Sequence, residues 1–442
     1  MKKKIEPGRL AALAIPTVSV IVTALVLVGP GALRPAVGVR VYGSPAEGDR
    51  ALSVRLMAVS SLYGSEDVAT LDRLQAVAKS NGRDLDLWNG RTGADGVAEA
   101  VLTGELPLER PLSLAVFDGT ADPKNPRFFA SGRLALHGRD PSPTLPSALP
   151  GTARGELSIR VEASRGLLAA PFPETLKVWV DPSPGGKSLK LHAGGAGLEI
   201  TRLGDPDLGA MPALFSVKAL VHDVELTIDA ENGDARGHWE GRLPIVPGAL
   251  WLEPGDGPRS IVSPVPRDQV YASFWSPVGR LDGAVVELQK DGSGFFRGQL
   301  GAGRALPSPV FVTLAGDPQE RGAGTVLWPL APKEGGIKRP ALELLLDGVP
   351  AAIAKEKDRA WRARLAGLVV LGTAAAVEVV LLLLLSRSAQ RNLEKHLGEA
   401  SEGEDRAVVM RSAKENPVLR VLLFVAVIAL GFAMMGAIAA FR

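Results

Sequence analysis

The sequence contains no cysteine, and aromatic residues make up only 5% of its 442 residues. Without cysteine the chain has no disulfides, no thiol catalysis and no cysteine-ligated metal site. This absence leaves the compartment open, because an exported domain that buries enough apolar surface is stable without disulfides. The hydrophobic content of 46% is sufficient for packed cores, and the length suits roughly two to four domains.

The sequence also lacks an excess of either charge, since 50 basic residues oppose 48 acidic ones and the formal net charge is +2. No overall field therefore attracts an acidic polymer. We expect no nucleic-acid partner.

Sequence motifs typical of catalytic and metal-binding sites are missing as well. The five histidines show neither the HExxH pattern nor paired metal-ligand spacing, and no serine lies in a G-x-S-x-G turn. The acidic segment DAENGD is interpreted as a solvated Asn-Gly turn, because it lacks the full ligand set of a calcium loop. We therefore expect no catalytic residue, no metal site and no cofactor, and we do not expect an enzyme. The identity of any small-molecule ligand is left open.

Three long apolar runs predict transmembrane helices. The first, residues 10–33, has no charged residue and follows the basic segment MKKKIEPGR. It is longer than the roughly 7 to 15 apolar residues of a cleavable signal, so it predicts an uncleaved signal anchor. The second run, 365–385, and the third, within 418–441, are each close to the roughly 20 residues that cross a bilayer as a helix.

The positive-inside rule predicts the orientation of these spans. Residues 1–9 and the loop 386–417 are expected in the cytoplasm, and residues of about 34–350 in the periplasm or outside the cell. Five cations between Lys355 and Arg364 lie at the predicted outer end of the second span and argue against this layout. Long domains are exported largely regardless of such charges, so we keep it. The richness in alanine, glycine, proline and arginine favours a bacterial inner membrane.

One acid, Glu378, lies inside the second apolar run. Such a residue is usually neutral, paired, or turned toward protein or water. Ala374 and Ala375 are on its helical face, and small residues allow another helix to approach closely. Counting depth from the inner end selects Thr17 of the first span as a hydrogen-bond partner. A cation from another subunit is the alternative.

Two further groups of residues are expected at contacts in the membrane. The third span carries small residues at helical spacing, which favours packing within the bundle or against a partner; these are Ala429, Ala433, Gly436 and Ala440. A long unbroken helix is predicted over 351–398, and its outer end carries residues suited to the membrane interface; these are Arg359, Trp361, Arg362 and Arg364.

Between the first two spans, short apolar runs alternate with a period of two, as in LSVRLMAV and LKVWV. Such alternation gives each strand one buried and one wet face. We predict a mainly β external region of antiparallel β-sandwich domains at 36–140, 156–252 and 269–350. The proline-rich segments 141–155 and 253–268 are interpreted as semi-rigid linkers. A short helix is predicted at 66–80 within the first domain, with Ser65 as its N-cap.

The segment RTGADGVAEAVL, Arg91 to Leu102, resembles part of macroglobulin-like and other bacterial immunoglobulin-like or transthyretin-like repeats. Two looser copies begin at Asn232 and Asp291. The resemblance implies a display or spacer module. The thioester of true macroglobulins needs a cysteine, which this chain lacks.

Together these patterns predict a membrane-anchored scaffold or binding subunit, with the lipid bilayer and other membrane-protein subunits as its partners. The alternative is a transport or energy-coupling component that uses Glu378 as an intramembrane ionisable site.

Overall fold

The computed structural model describes residues 7–46, 51–104, 106, 111–120, 127–134, 148–181, 189–204, 211–253, 259–276, 279–301, 311–321, 326–329, 342–399 and 431. The chain divides into two compact units. The first unit consists of Met1–Ala36, Ser61–Ser65 and Pro350–Arg442, and the second consists of Val37–Ser60 and Glu66–Val349. The first unit contains two helices, and the second is built from antiparallel sheets.

The second unit begins with domain 1, which has two sheets. Its strands are β1 (Ala36–Ala46), β2 (Ala51–Leu62), β3 (Ser65–Val68), β4 (Leu74–Ser80), β5 (Arg83–Gly90), β6 (Val97–Leu102), β7 (Leu112–Asp118) and β8 (Phe128–Leu134). One sheet joins β1, β2, β3 and β6, and the other has the order β5-β4-β7-β8. Buried residues of both sheets, such as Val54 and Val116, share one core. This arrangement fits a β-sandwich.

The predicted helix at 66–80 is wrong, because this segment contains strands β3 and β4. Strand β4 lies between β5 and β7 and pairs with both. Its Leu74, Ala76 and Ala78 face the core at every second position. The helical spacing of the apolar residues was therefore overridden by sheet pairing.

Domain 2 consists of two four-stranded sheets around a second core. Its strands are β9 (Thr152–Gly155), β10 (Ser158–Ala163), β11 (Leu168–Ala170), β12 (Pro173–Asp181), β13 (Lys190–Gly194), β14 (Leu198–Leu203), β15 (Ala213–Ala219), β16 (Glu225–Asn232), β17 (Ala235–Arg242) and β18 (Ile245–Pro247). The sheet orders are β10-β12-β15-β14 and β13-β16-β17-β9, and β11 pairs with β18 in parallel. The end of the predicted linker 141–155 is β9, which pairs with β17 instead of acting as a spacer.

Domain 3 is also built from two four-stranded sheets, with the orders β19-β20-β24-β23 and β22-β21-β25-β26. Its strands are β19 (Trp251–Leu252), β20 (Arg259–Ser263), β21 (Gln269–Ser276), β22 (Gly279–Glu287), β23 (Gln289–Lys290), β24 (Phe296–Leu300), β25 (Phe311–Ala315) and β26 (Val326–Pro329). The predicted linker 253–268 contains β20, whose Ile261 and Val262 are buried. The core of domain 3 also includes Phe172 from the turn after β11, and Phe172 stacks on Trp251 with ring centroids 4.9 Å apart. Domains 2 and 3 therefore share packing, and residues 259–263 are not a linker.

The last strand, β27 (Glu343–Asp347), belongs to domain 1 although it follows domain 3 in sequence. It pairs antiparallel with β1, with Arg40 opposite Asp347. The backbone N–H of Gly348 then donates to the carbonyl of Val39 over 3.0 Å. Domain 1 is thus built from both ends of the β region, which a linear division at 269–350 misses because the pairing is non-local.

The first unit contains helices α1 (Pro7–Val28) and α2 (Val349–Glu399). Among the described residues, one helix is long and apolar enough to cross a membrane, the part of α2 from Val349 to Asn392. The apolar stretch Ala14–Val28 of α1 is shorter. The structure thus supplies one candidate span and not the three predicted. The third predicted span at 418–441, with Ala429, Ala433, Gly436 and Ala440, lies outside the described residues.

Candidate functional site in the helix pair

Helices α1 and α2 pack through small side chains. Ser19 and Thr23 of α1 are buried, at 7% and 3% exposure. Gly367 of α2 lies against this face, since a Cβ atom added there would be 3.3 Å from Cγ1 of Val26. Small residues at such a contact allow close approach of the two helix backbones.

Glu378 lies in this seam and is only 3% exposed. It lines a cavity of about 10 Å³ together with Ala374, Ala375 and Leu371 of α2 and Pro16, Ser19 and Val20 of α1. Its Oε2 atom is buried and has no hydrogen-bond partner among the described residues. The predicted association of Glu378 with small residues and with α1 is therefore present in the structure.

The residue that α1 places beside Glu378 is Ser19 and not Thr17. Thr17 is exposed and is not among the residues that line the cavity. The Ser19 hydroxyl donates to the carbonyl oxygen of Pro16 over 2.9 Å. Counting residues along the chain selected a position two residues from Ser19, but such a count carries no information on the rotation of a helix about its axis.

Two of the predicted interface cations bind the C-terminal end of α1. Arg359 donates from Nη1 to the carbonyl of Pro30 over 2.7 Å and from Nη2 to that of Ala32 over 2.8 Å. Arg364 donates from Nε to the carbonyl of Gly31 over 2.8 Å. Cations are stabilising at the end of a helix, where carbonyl groups lack helical donors. Arg359 and Arg364 therefore fasten α1 to α2.

Glu356 completes this fastening. Its Oε2 accepts from Arg359 Nε over 2.9 Å, and its Oε1 accepts from the backbone N–H of Arg34 over 2.8 Å. The carboxylate of Glu356 therefore bonds both to Arg359 and to the backbone of the segment that follows α1.

The other two predicted interface residues are at the surface. Trp361 is 51% exposed. Arg362 is exposed and pairs with Asp358 one turn earlier, with Nη2 and Oδ2 2.8 Å apart. Their location at a membrane interface stays a prediction.

A buried charge cluster between domains 1 and 3 was missed in the sequence. Arg55 and Arg280 are fully buried. Glu99 accepts from both, at 2.5 Å from Arg55 Nε and 2.7 Å from Arg280 Nη2. Glu320 accepts from Arg55 Nη1 over 2.9 Å. Two cations and two carboxylates are thus balanced, as buried charges require.

Hydroxyl groups satisfy the rest of the cluster. Arg280 donates to the hydroxyls of Ser53 and Ser273 over 2.8 and 3.0 Å. Thr313 donates to Glu320 over 2.7 Å. Burial opposes the charge of Arg55, but the two carboxylates outweigh it and raise the pKa of this arginine. Strands β2 and β6 of domain 1, strands β21, β22 and β25 of domain 3, and the turn after β25 supply these residues, so the cluster fixes one domain against the other.

A polar cleft of about 450 Å³ lies beside this cluster. Its lining comes from domain 1 through Asp95 and from domain 3 through Arg267 and Gln269. Gln269 donates to the hydroxyl of Tyr271 over 2.6 Å. Burial and the nearby charge of Asp95 raise the pKa of Tyr271. Side chains of both charges line the cleft, two aspartates and one arginine.

Domain 2 carries the remaining cluster of titratable groups. Nδ1 of His238 lies 2.7 Å from Oδ1 of Asp229, and His192 is opposite Asp229 on the neighbouring strand. In the part of the chain that the structure describes, no group of three or more histidine, aspartate or glutamate side chains is placed to bind a metal ion. Asp229 therefore serves as a surface partner of His238.

No family model matches the chain, and no curated protein matches it. One solved structure that it resembles is described as "Marsupial T cell receptor". The similarity covers 68% of this chain and 100% of that one, with 10% identity and a TM-score of 0.16. A likeness of this size carries no information on function. The description of the second unit as mainly β rests on its own antiparallel sheets.

Proposed function

We propose that the protein is a membrane-anchored scaffold or binding subunit that presents its three β domains outside the cytoplasm as part of a membrane complex. The observation that carries this proposal is the pairing of β1 with β27. The β region begins and ends in one sheet, and its two ends lead along the chain into the apolar helices α1 and α2.

The internal rigidity of the β region supports a role in presentation. Domains 1 and 3 share the buried charge cluster, and domains 2 and 3 share the packing of Phe172. Domains that share packing hold a binding surface at a fixed orientation, which lowers the entropy lost on binding.

The proposal includes a bacterial inner membrane, spans at 10–33, 365–385 and 418–441, a cytoplasmic N-terminus, and β-sandwich domains of immunoglobulin-like type outside. Because the chain has no cysteine, single cysteines report the topology directly. We expect Lys290→Cys to react with a membrane-impermeant maleimide in intact spheroplasts and Ala389→Cys to react only after permeabilisation. Both residues are exposed, and the reverse pattern would overturn the orientation.

The binding role is tested by photocrosslinking of the full chain in native membranes. Photoreactive residues replace Trp361 at the surface of α2 and Lys290 in domain 3, both of which are exposed. We expect an adduct to a second membrane protein from at least one position. A chain that forms no adduct and purifies as a lone monomer would contradict the proposal.

A second candidate function is transport or energy coupling through Glu378. The burial of this acid in the helix seam, with Oε2 unpartnered among the described residues, favours it. Glu378→Gln separates the two functions in cells. Loss of the cellular phenotype with intact assembly supports coupling, whereas an unchanged phenotype supports the scaffold.

A further inference from the structure

Pro16 breaks the hydrogen bonding of α1 at the level of Glu378. Proline has no N–H, so the carbonyl of Ala12, four residues earlier, lacks its usual helical donor. Within a membrane such a group must find another donor. The nearby hydroxyl of Ser19 has one hydrogen and donates it to the carbonyl of Pro16, so it does not serve Ala12.

Glu378 is placed on the other side of the same cavity. The residue is 3% exposed, and its buried Oε2 has no partner among the described residues. The lining of the cavity contains no cation. An ionised carboxylate in such surroundings is costly, and the neutral acid is the stable form. The neutral acid has one O–H donor, which is what the break in α1 lacks.

The volume of the cavity limits what it can hold to a single small molecule. Its volume of about 10 Å³ is at the lower limit for a single water molecule, roughly 10 to 15 Å³. A water also needs two to four polar partners. Glu378 Oε2, the Ser19 hydroxyl oxygen and the Ala12 carbonyl that Pro16 leaves without its helical donor are groups of the required kinds.

We propose that Glu378, in its acid form, holds one water molecule in this cavity and through it supplies the hydrogen bond that Pro16 removes from α1. The site binds one proton and one water, and it fastens the membrane ends of α1 and α2 to each other. It does not depend on the proposed scaffold role, because no partner protein takes part in it.

The proposal is tested with substitutions at Glu378 and Pro16 in the full chain, which is reconstituted in lipid nanodiscs. The association of α1 with α2 is measured as the disulfide yield between Val26→Cys and Gly367→Cys in a chain free of other cysteines. The two positions adjoin, since a Cβ atom added at Gly367 would be 3.3 Å from Cγ1 of Val26. We expect Glu378→Gln to keep the yield, since the amide N–H replaces the O–H donor. We expect Glu378→Leu to reduce it severalfold.

A second background distinguishes the proposed hydrogen bond from general packing. Pro16→Ala returns an N–H to α1, so the carbonyl of Ala12 no longer needs the water. We therefore expect Glu378→Leu to lower the yield in the wild-type background and to have no further effect in the Pro16→Ala background. Val379→Leu, on the exposed side of the same turn, is the matched control and should have no effect. An unchanged yield in Glu378→Leu, a loss in Glu378→Gln equal to that in Glu378→Leu, or an equal loss from Glu378→Leu in both backgrounds would overturn the proposal.

The acid form is tested separately with dicyclohexylcarbodiimide, which partitions into membranes. The carboxyl O–H adds across one C=N bond to form an O-acylisourea, which rearranges to an N-acylurea without loss of any atom. Mass spectrometry is expected to find this adduct on Glu378 of the full chain and at least tenfold less with a water-soluble carbodiimide. Glu378→Gln is the control without a reactive acid. Equal labelling by both reagents, or none by the first, would show that the acid form is not held there.

Discussion

Arg280 of domain 3 donates to Glu99 of domain 1 over 2.7 Å, and the arginine is completely buried by this contact. The same carboxylate also accepts from Arg55, which is buried from the other side. The carboxylate of Glu99 therefore pairs with two buried arginines. Its removal would leave both arginines without part of the opposite charge that balances them. This relationship gives the first prediction.

Glu99→Gln should destabilise the full chain by about 3 to 5 kcal/mol, the usual cost of leaving a buried charge without its partner. The measurement is equilibrium unfolding in denaturant, followed by tryptophan fluorescence. Glu66→Gln is the matched control, because Glu66 also pairs with an arginine, Arg40, but is exposed. That change should cost no more than about 1 kcal/mol. Equal losses from the two substitutions would show that the cluster does not fasten the domains.

Phe172→Ala should separate domain 2 from domain 3. The ring stacks on Trp251 and contacts Phe295 at 5.4 Å, inside the core of the neighbouring domain. Loss of a buried phenylalanine costs about 3 to 5 kcal/mol, so we expect unfolding to split into two calorimetric transitions. Phe128→Ala is the control: this ring also contacts an aromatic ring, Phe117, but is half exposed. A single transition in both variants would contradict shared packing.

Glu174 should make stability fall as pH rises. Burial raises the pKa of Glu174 to about 7 against the opposing charge of Arg165. The folded state therefore binds a proton that the unfolded state has released between its ordinary pKa of 4.5 and about 7. The stabilisation from this group is complete below pH 4.5 and is lost as the pH rises through about 7.

The effect is isolated by comparing the wild type with Glu174→Gln across this pH range. The difference in unfolding free energy between the two should decline with rising pH, by no more than about 3 kcal/mol in total. A difference that is independent of pH, or that grows with pH, would show that Glu174 is ionised throughout.

Arg359→Ala should loosen the end of the helix pair that contains Pro30 and Ala32. This side chain bonds to the carbonyls of Pro30 and Ala32, and hydrogen bonds to a charged group contribute about 1.5 to 3 kcal/mol each. We expect a lower disulfide yield between cysteines at Val26 and Gly367. Arg362→Ala removes an equal charge from a surface pair worth about 0.3 to 0.5 kcal/mol and should leave the yield unchanged. A drop of equal size in both variants would point to a general effect of charge at the interface.

The mainly β region followed from alternation in the sequence, because one buried face per strand imposes a period of two whatever the partner. The pairing of strands that are far apart in the chain produces no comparable pattern in the sequence. The pairing of β27 with β1 joins residues about 300 positions apart, and neither segment differs in pattern from any other short strand. The prediction of a helix at 66–80 was wrong for a related reason. The apolar residues of β4 fit the helical period as well as the strand period of two, and only the neighbouring strands decide between them.

The site residues show where a single sequence carries less information. Glu378 was found because an acid in an apolar run is unusual by composition alone. Arg55 was missed because it occupies the wet position of an alternating strand, and only the packing of domain 3 turns that position into an interior one. Arg359 and Arg364 were predicted as residues of the membrane interface, but their contacts with α1 were not, since the carbonyls they bind lie more than 300 residues away in sequence.

The pairing of β1 with β27 also sets an order of events during biosynthesis. The ribosome releases β1 early, and its partner strand follows only after domains 2 and 3 have been synthesised. During this interval one edge of β1 has unpaired N–H and C=O groups, which invite pairing with other chains. Domain 1 is thus the first domain to be synthesised and the last to be completed. Its sheet is complete only after the rest of the β region has been made.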